Sequence, residues 1–312
     1  MFLRALKAAD CSAELRVLEG LGMLQNGVID LEGKDPVVAL LQGLPRLESL
    51  GLIGGGQMDL PPPNITPDAY PQPALDLPHL HTLSLRGVQT GLLLHTLIAS
   101  DLPALKHLGM SSYHTTQSDL TTPFLATHGP SLLSLAYLAL PDFPRPILPL
   151  PLETLLLCPS LVSLDLHIPA SHPPPGPLFF DNPTAIAHSS LTHLSLPRPA
   201  KPALYDPLIT SLRAIDSLRE VVIQGFTYVP AGSPAALGAG LNGVVRDWAV
   251  ALGRRGVVLR DSRGRSCPGL VQGSTGLWLV EDVRGGRGAV KATGARPARR
   301  SSWDEEESEG GG

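Results

Sequence analysis

Leucines return along this chain at the first, fourth and sixth places of a six-residue string, with polar or small residues between them. The string reads Leu47-x-x-Leu50-x-Leu52, Leu80-x-x-Leu83-x-Leu85, Leu105-x-x-Leu108-x-Met110, Leu132-x-x-Leu135-x-Tyr137, Leu161-x-x-Leu164-x-Leu166, Leu191-x-x-Leu194-x-Leu196 and Leu218-x-x-Val221-x-Ile223. Successive copies begin 33, 25, 27, 29, 30 and 27 residues apart. Side chains alternate across a strand, so the fourth and sixth places face the same way. Each string therefore predicts a short strand with those two side chains in a core and the first leucine entering from the turn before it. Five of the seven copies carry proline two residues before the first leucine, at Pro45, Pro78, Pro103, Pro130 and Pro159. Proline fixes φ and cannot donate to a ladder, so it suits a strand entrance. Leucine at places one, four and six is also a poor 3.6-residue stripe, which argues against a leucine-rich helical protein.

One such unit cannot bury its apolar face; stacked neighbours can, and at least three are needed. A step of roughly 20–29 residues with this string marks leucine-rich repeats. The expected fold is α/β, a leucine-rich-repeat solenoid with a parallel sheet on the concave face and irregular helices on the convex face. Residues 1–43 read as a degenerate N-terminal repeat or cap, helical or worn, with Leu15, Leu18 and Leu24 as its remnants. The repeats span 44–232.

Connectors between strands carry helix signals. Leu93, Leu94, Leu97 and Ile98 recur at helical spacing after Gly91. Asp206-Pro207 opens another helix, with aspartate as N-cap, proline at the first helical position, and the stripe Leu208, Ile209, Leu212 and Ile215. Asp181-Asn182-Pro183 opens a shorter one in the same way. Residues 233–283 form a C-terminal helix and strand cap. Asn242 caps that helix, and its stripe of Val244, Val245, Trp248 and Leu252 closes the open end of the core. Gly253 or Gly256 ends it, with Arg254 and Arg255 set against the helix dipole. A final strand at Val257-Val258-Leu259, the turn Asp261–Gly264 and one more strand within 276–280 follow. From Arg284 the composition turns to Gly, Ala, Arg and Ser, which predicts a disordered tail over 284–312.

Composition adds limits. Apolar residues make up 43% of the chain, enough for a core, but aromatics only 4%, so a binding face has few of the Trp and Tyr anchors that dominate interfaces. A formal charge of −4 does not suit a dedicated nucleic-acid binder. Three cysteines, Cys11, Cys158 and Cys267, are odd in number and far apart, as in a reducing compartment. Cys158 takes a slot held elsewhere by Leu44, Leu77 and Leu102, so it reads as a small buried hydrophobe. No run approaches the ~18–20 apolar residues of a membrane span, and the start lacks a signal-peptide apolar region. No membrane partner is expected, and the cytosol or nucleus is the expected compartment.

The string Leu-Pro-x-Leu-x-x-Leu-x-Leu, its variant Cys-Pro-Ser-Leu-Val-Ser-Leu-Asp-Leu at 158–166, and the ending from Trp248 through Arg255-Gly-Val-Val-Leu-Arg-Asp261 together resemble the leucine-rich-repeat portion of fungal F-box-like proteins, over residues 44 to 262. The resemblance implies a protein-interaction scaffold. Members of that family act as substrate receptors of cullin-based ubiquitin ligases: the F-box recruits the ligase adaptor and the repeats hold the substrate. Nothing in residues 1–43 matches the helical segment opening near Leu-Pro-x-Glu, so the adaptor is an expected partner only if an F-box is missing from this gene model. Many such repeats also place Asn three residues after the last leucine to satisfy loop backbone. Here that place holds Gly55, Val88, Tyr113, Leu140, Pro169, Pro199 and Phe226, so the loops must be satisfied otherwise.

Stacked in register, the outward positions of successive strands line up in columns about 4.8 Å apart. One is Ser49, Thr82, His107, Ser134, Ser163, His193, Glu220; the next is Gly51, Ser84, Gly109, Ala136, Asp165, Ser195, Val222; the third is Ile53, Arg86, Ser111, Leu138, His167, Pro197, Gln224. The candidate binding residues on this face are Arg86, His107, Asp165, His167, His193 and Glu220, for a protein partner whose identity the residues do not specify. His107 and His193 lie three strands apart, near 14 Å by that spacing, too far to share a metal. No cofactor is implied: Gly51–Gly56 lacks the Lys-Ser/Thr of a phosphate-binding loop. Two other functions are weighed against the scaffold. A hydrolase would use Asp165, Ser195, His193 and His167, but an open sheet face gives no water-excluded pocket. An RNA-associated protein would use the Arg-Gly-Gly-Arg-Gly of the tail, present in one copy only. Ser301 and Ser302 precede acidic residues and match a loose kinase pattern.

Overall fold

The computed structural model describes residues 14–23, 35–54, 73–88, 91–111, 120–138, 153–167, 188–198, 206–228, 240–267, 270–272 and 278–280. Nine strands form one open, wholly parallel sheet, and they lie side by side in chain order without a crossover. They are β1 (Val17–Met23), β2 (Ser49–Gly54), β3 (Thr82–Arg86), β4 (His107–Met110), β5 (Ser134–Leu138), β6 (Ser163–His167), β7 (His193–Leu196), β8 (Glu220–Ile223) and β9 (Val258–Asp261). Between them run α1 (Pro36–Leu41), α2 (Gly91–Ala99), α3 (Thr121–His128), α4 (Thr154–Leu157), α5 (Asp206–Leu212) and α6 (Gly240–Gly253). The molecule is a mixed α/β structure whose core lies between the sheet and these helices.

The recurring string explains the layers. Leu47, Leu50 and Leu52, and their counterparts through Leu218, Val221 and Ile223, are completely or almost completely buried, while the prolines at the strand entrances are exposed. Six of the seven entrances close with the same backbone bond. Leu47 N–H donates to Leu44 O at 3.1 Å, Leu105 to Leu102 at 3.1 Å, Leu132 to Gly129 at 3.0 Å and Leu161 to Cys158 at 3.1 Å. Cys158 is buried in that slot, as its neighbours' leucines are. In the copy before β7 the slot holds His188, also buried. Its Nδ1 accepts from Leu191 N–H at 3.1 Å and its Nε2 donates to Cys158 O at 3.0 Å, so the imidazole takes over the turn bond and ties it to the preceding copy.

The edges depart from the string. In β1 the register slips between Leu18 and Leu21, where Gly20 adopts φ 70°; Leu18 pairs with Leu50 and Leu21 with Leu52. An extra residue in one strand with glycine in the left-handed region is a β-bulge. α1 is capped by buried Asp35, whose Oδ1 accepts from Val37 N–H at 2.8 Å. At the other edge α6 begins at Gly240, so Asn242 lies inside the helix rather than capping it. Val245, Trp248 and Leu252 are buried and Val244 is half-buried, as the stripe predicts. α5 begins at Asp206 itself, and the carboxylate accepts from the Trp248 indole across to α6. Asp261, expected as a turn residue, is fully buried and accepts from the backbone N–H of Tyr228, Arg263 and Arg265 and from Arg265 Nε, all at 2.9–3.0 Å. Trp278–Val280 (β11) pairs antiparallel with Leu270–Gln272 (β10) in a separate two-stranded sheet, a partner the sequence did not announce. The expected helix start at Asp181–Pro183 and the tail 284–312 lie outside the described residues.

Candidate binding face of the sheet

The ladder aligns the outward positions across the sheet. Ser49 pairs with Thr82, Thr82 with His107, His107 with Ser134, Ser134 with Ser163, Ser163 with His193 and His193 with Glu220. Beside that column, Gly51, Ser84, Gly109, Ala136, Asp165, Ser195 and Val222 pair in the same order. Ile53 pairs with Arg86, and Leu138 with His167, in the third column.

Of the candidate residues, Arg86, His107, His167 and His193 are exposed, and Asp165 is half-buried. Glu220 is committed elsewhere: its carboxylate pairs with Arg260 Nε at 3.0 Å, both side chains being partly exposed. Arg260 is the residue sequence reasoning missed. The columns stop at β8 if the last strand is taken to end at Leu259, whereas the ladder continues as Val222↔Arg260 and Ile223↔Asp261. Glu19 was missed for a similar reason, since the β1 bulge hides its register; it accepts from Ser49 Oγ at 3.0 Å and lies over Gly51, whose absent Cβ would stand 3.3 Å from the Glu19 Cα.

Four residues considered for nucleophilic chemistry do come close in the ladder, but their bonds differ from a relay. Asp165 is the ladder partner of Ser195, yet Ser195 Oγ accepts from Gln224 Nε2 at 2.6 Å, and His193 Nδ1 meets Thr192 Oγ1 at 2.7 Å. Among the described residues no three His, Cys, Asp or Glu side chains are grouped to hold a metal ion.

The groups with displaced pKa values lie off this face. Burial pushes the Cys158 thiol up to about 12, and the Cys267 thiol is also raised, chiefly by burial; a thiol so held is a poor nucleophile. Burial pushes the His128 imidazole below the usual histidine range, with its hydrogen bond to Leu97 O opposing. For Asp261, burial raises the carboxyl, but the hydrogen bonds from Arg265, Tyr228 and Arg263 outweigh it and leave the group below the usual carboxylate range. The face itself offers hydroxyls, imidazoles, small residues and the charged groups Glu19, Arg86, Asp165, Glu220 and Arg260.

No family model matches this chain, and no curated protein matches it at a significant level. Among the described residues, no helix is long and apolar enough to cross a membrane.

Proposed function

We propose that the chain is a leucine-rich-repeat protein-interaction module that binds a protein partner on the outward face of its sheet, resembling the substrate-holding repeats of F-box ubiquitin-ligase receptors. The observation that supports this most is the ladder register. Seven copies of one string place their polar positions in straight columns, so one face presents a broad, continuous surface backed by a rigid core. A stack of repeats is suited to wrapping a partner in this way. Aromatic anchors are scarce, so the contact is polar and of moderate affinity. Direct attachment to a ligase adaptor belongs to an F-box, which residues 1–43 do not resemble.

Proximity labelling in cells followed by pull-down with purified protein tests both parts. Asp165→Arg should reduce recovery of the partner while leaving the melting temperature unchanged; unchanged recovery would count against this face. Purified adaptor should not bind the chain directly, and direct binding would overturn the separation of the repeats from the ligase link.

A further inference from the structure

Among the described residues, two charges on the sheet face find no partner. Arg86 on β3 and Asp165 on β6 have no hydrogen-bond or ion-pair partner among the described residues. Other charged groups of the sheet are committed: Glu220 to Arg260, Glu48 to Arg16, Glu19 to Ser49 and Lys106 to Ser131 O. Between the two free charges the floor is low. Ser84 pairs with Gly109, Gly109 with Ala136 and Ala136 with Asp165. Leu138 leans over this floor, its Cδ1 lying 3.4 Å from where a Gly109 Cβ would be. Three ladder steps and two residues of rise separate Arg86 from Asp165 by roughly 16 Å between backbones.

We propose that this strip receives an extended segment of the partner protein laid across the strands, with an acidic side chain against Arg86 and a basic one against Asp165 four residues further along. This rests on the proposed binding face and specifies its occupant. Four extended residues span about 13–14 Å, and the long side chains cover the rest. Alternate side chains of an extended segment face one way, so the first, third and fifth residues all point at the sheet. The third meets Leu138 above Gly109 and Ala136, which leave room for it. The strands beneath are paired on both sides, so the segment cannot add to the ladder, and recognition falls to side chains. One cation and one anion, with no run of basic residues, match a polypeptide of mixed charge rather than a phosphate backbone.

A display library of random linear twelve-residue peptides, selected on the full chain, tests this. Three proteins are compared: the parent, the double reversal Arg86→Glu with Asp165→Lys, and Ala136→Trp, which fills the strip. Each is first shown to melt like the parent; if Ala136→Trp melts early, Ser84→Tyr blocks the same strip. Parent-selected peptides should carry an acidic and a basic residue four apart, and selection on the double reversal should exchange their order. Fluorescence anisotropy on one such peptide should show roughly tenfold weaker binding to Arg86→Glu. Peptides lost with Ala136→Trp but lacking the charge pair would overturn this inference and leave the binding face standing. Selection indifferent to Ala136→Trp, or no selection at all, would remove both.

Discussion

The indole N–H of Trp248 donates to Asp206 Oδ1 at 2.7 Å, so the helix that closes the core is pinned to the first residue of the helix before it. The bond joins a buried ring to an exposed aspartate, and it locks α6 at one azimuth over the last leucines. Trp248→Phe keeps most of the ring and loses the bond, which should cost about 1.5–3 kcal/mol for a hydrogen bond to a charged group. Asp206→Ala should cost a similar amount, and the double variant should cost little more than either. Trp248→Ala should cost about 3–5 kcal/mol, since it also empties the site. Urea denaturation of the four variants measures this; additive losses would show that the two residues act separately.

Leu164 and Asp165 are adjacent in β6 yet face opposite sides, Leu164 fully buried and Asp165 half-buried on the outward face. Leu164→Ala should destabilise by roughly 2–5 kcal/mol, as buried leucines do. Asp165→Ala should change stability by less than about 1 kcal/mol. Equal melting shifts would reject the strand register.

Asp261 gives the acid limb of stability. Its folded pKa lies below the unfolded value near 3.8, so the unfolded chain binds the proton first. The stabilisation is fully present above pH 4 and is lost as pH falls through the folded value. Asp261→Asn should lower stability at pH 7 by about 3 kcal/mol through the loss of charge-assisted bonds. It should also flatten the decline below pH 4, read from denaturation midpoints at pH 2 to 5.

His128 acts in a separate window. It is buried against Phe124, with ring centroids 4.8 Å apart, and its Nε2 donates to Leu97 O at 2.9 Å. Its folded pKa is depressed, so the unfolded chain again takes the proton first, now starting near pH 6.5. Stability should fall on acidification from that point down to the folded value. His128→Gln keeps a donor for Leu97 O and removes the titration; denaturation between pH 5 and 7.5 should lose that part of its slope. A slope unchanged by His128→Gln would assign it to another group.

The ladder was legible because its signal is local: three leucines in six residues, a proline ahead of them, and a constant direction of alternation. β1 escaped because one extra residue at Gly20 turns Leu18-x-Leu into Leu18-x-x-Leu21 and breaks the string. Asp261 escaped because most of what it serves is set by tertiary structure; a buried carboxylate and a turn aspartate look alike in sequence, and Tyr228 is 33 residues away. On the face, the columns could be written down from the string alone, but not which charges are free. Glu220 looked available until β9 brought Arg260 beside it, while Arg86 and Asp165 have no such partner among the described residues. Asn242 misled because a good capping residue was preceded by Gly240-Leu241, which continue the helix.

Because the nine strands lie side by side in chain order, a force applied between the two ends of the chain acts across the stack, peeling strands from an edge instead of sliding them past one another. Among the described residues β1 is the weaker edge, held beyond its ladder by half-buried leucines, the Ser49 to Glu19 bond and exposed ion pairs such as Arg16 to Glu48, whereas β9 is tied down by Asp261. Under tension the molecule would yield as a sawtooth from the β1 side, each tooth paying out one copy of the string, on the order of 9 nm of extended chain.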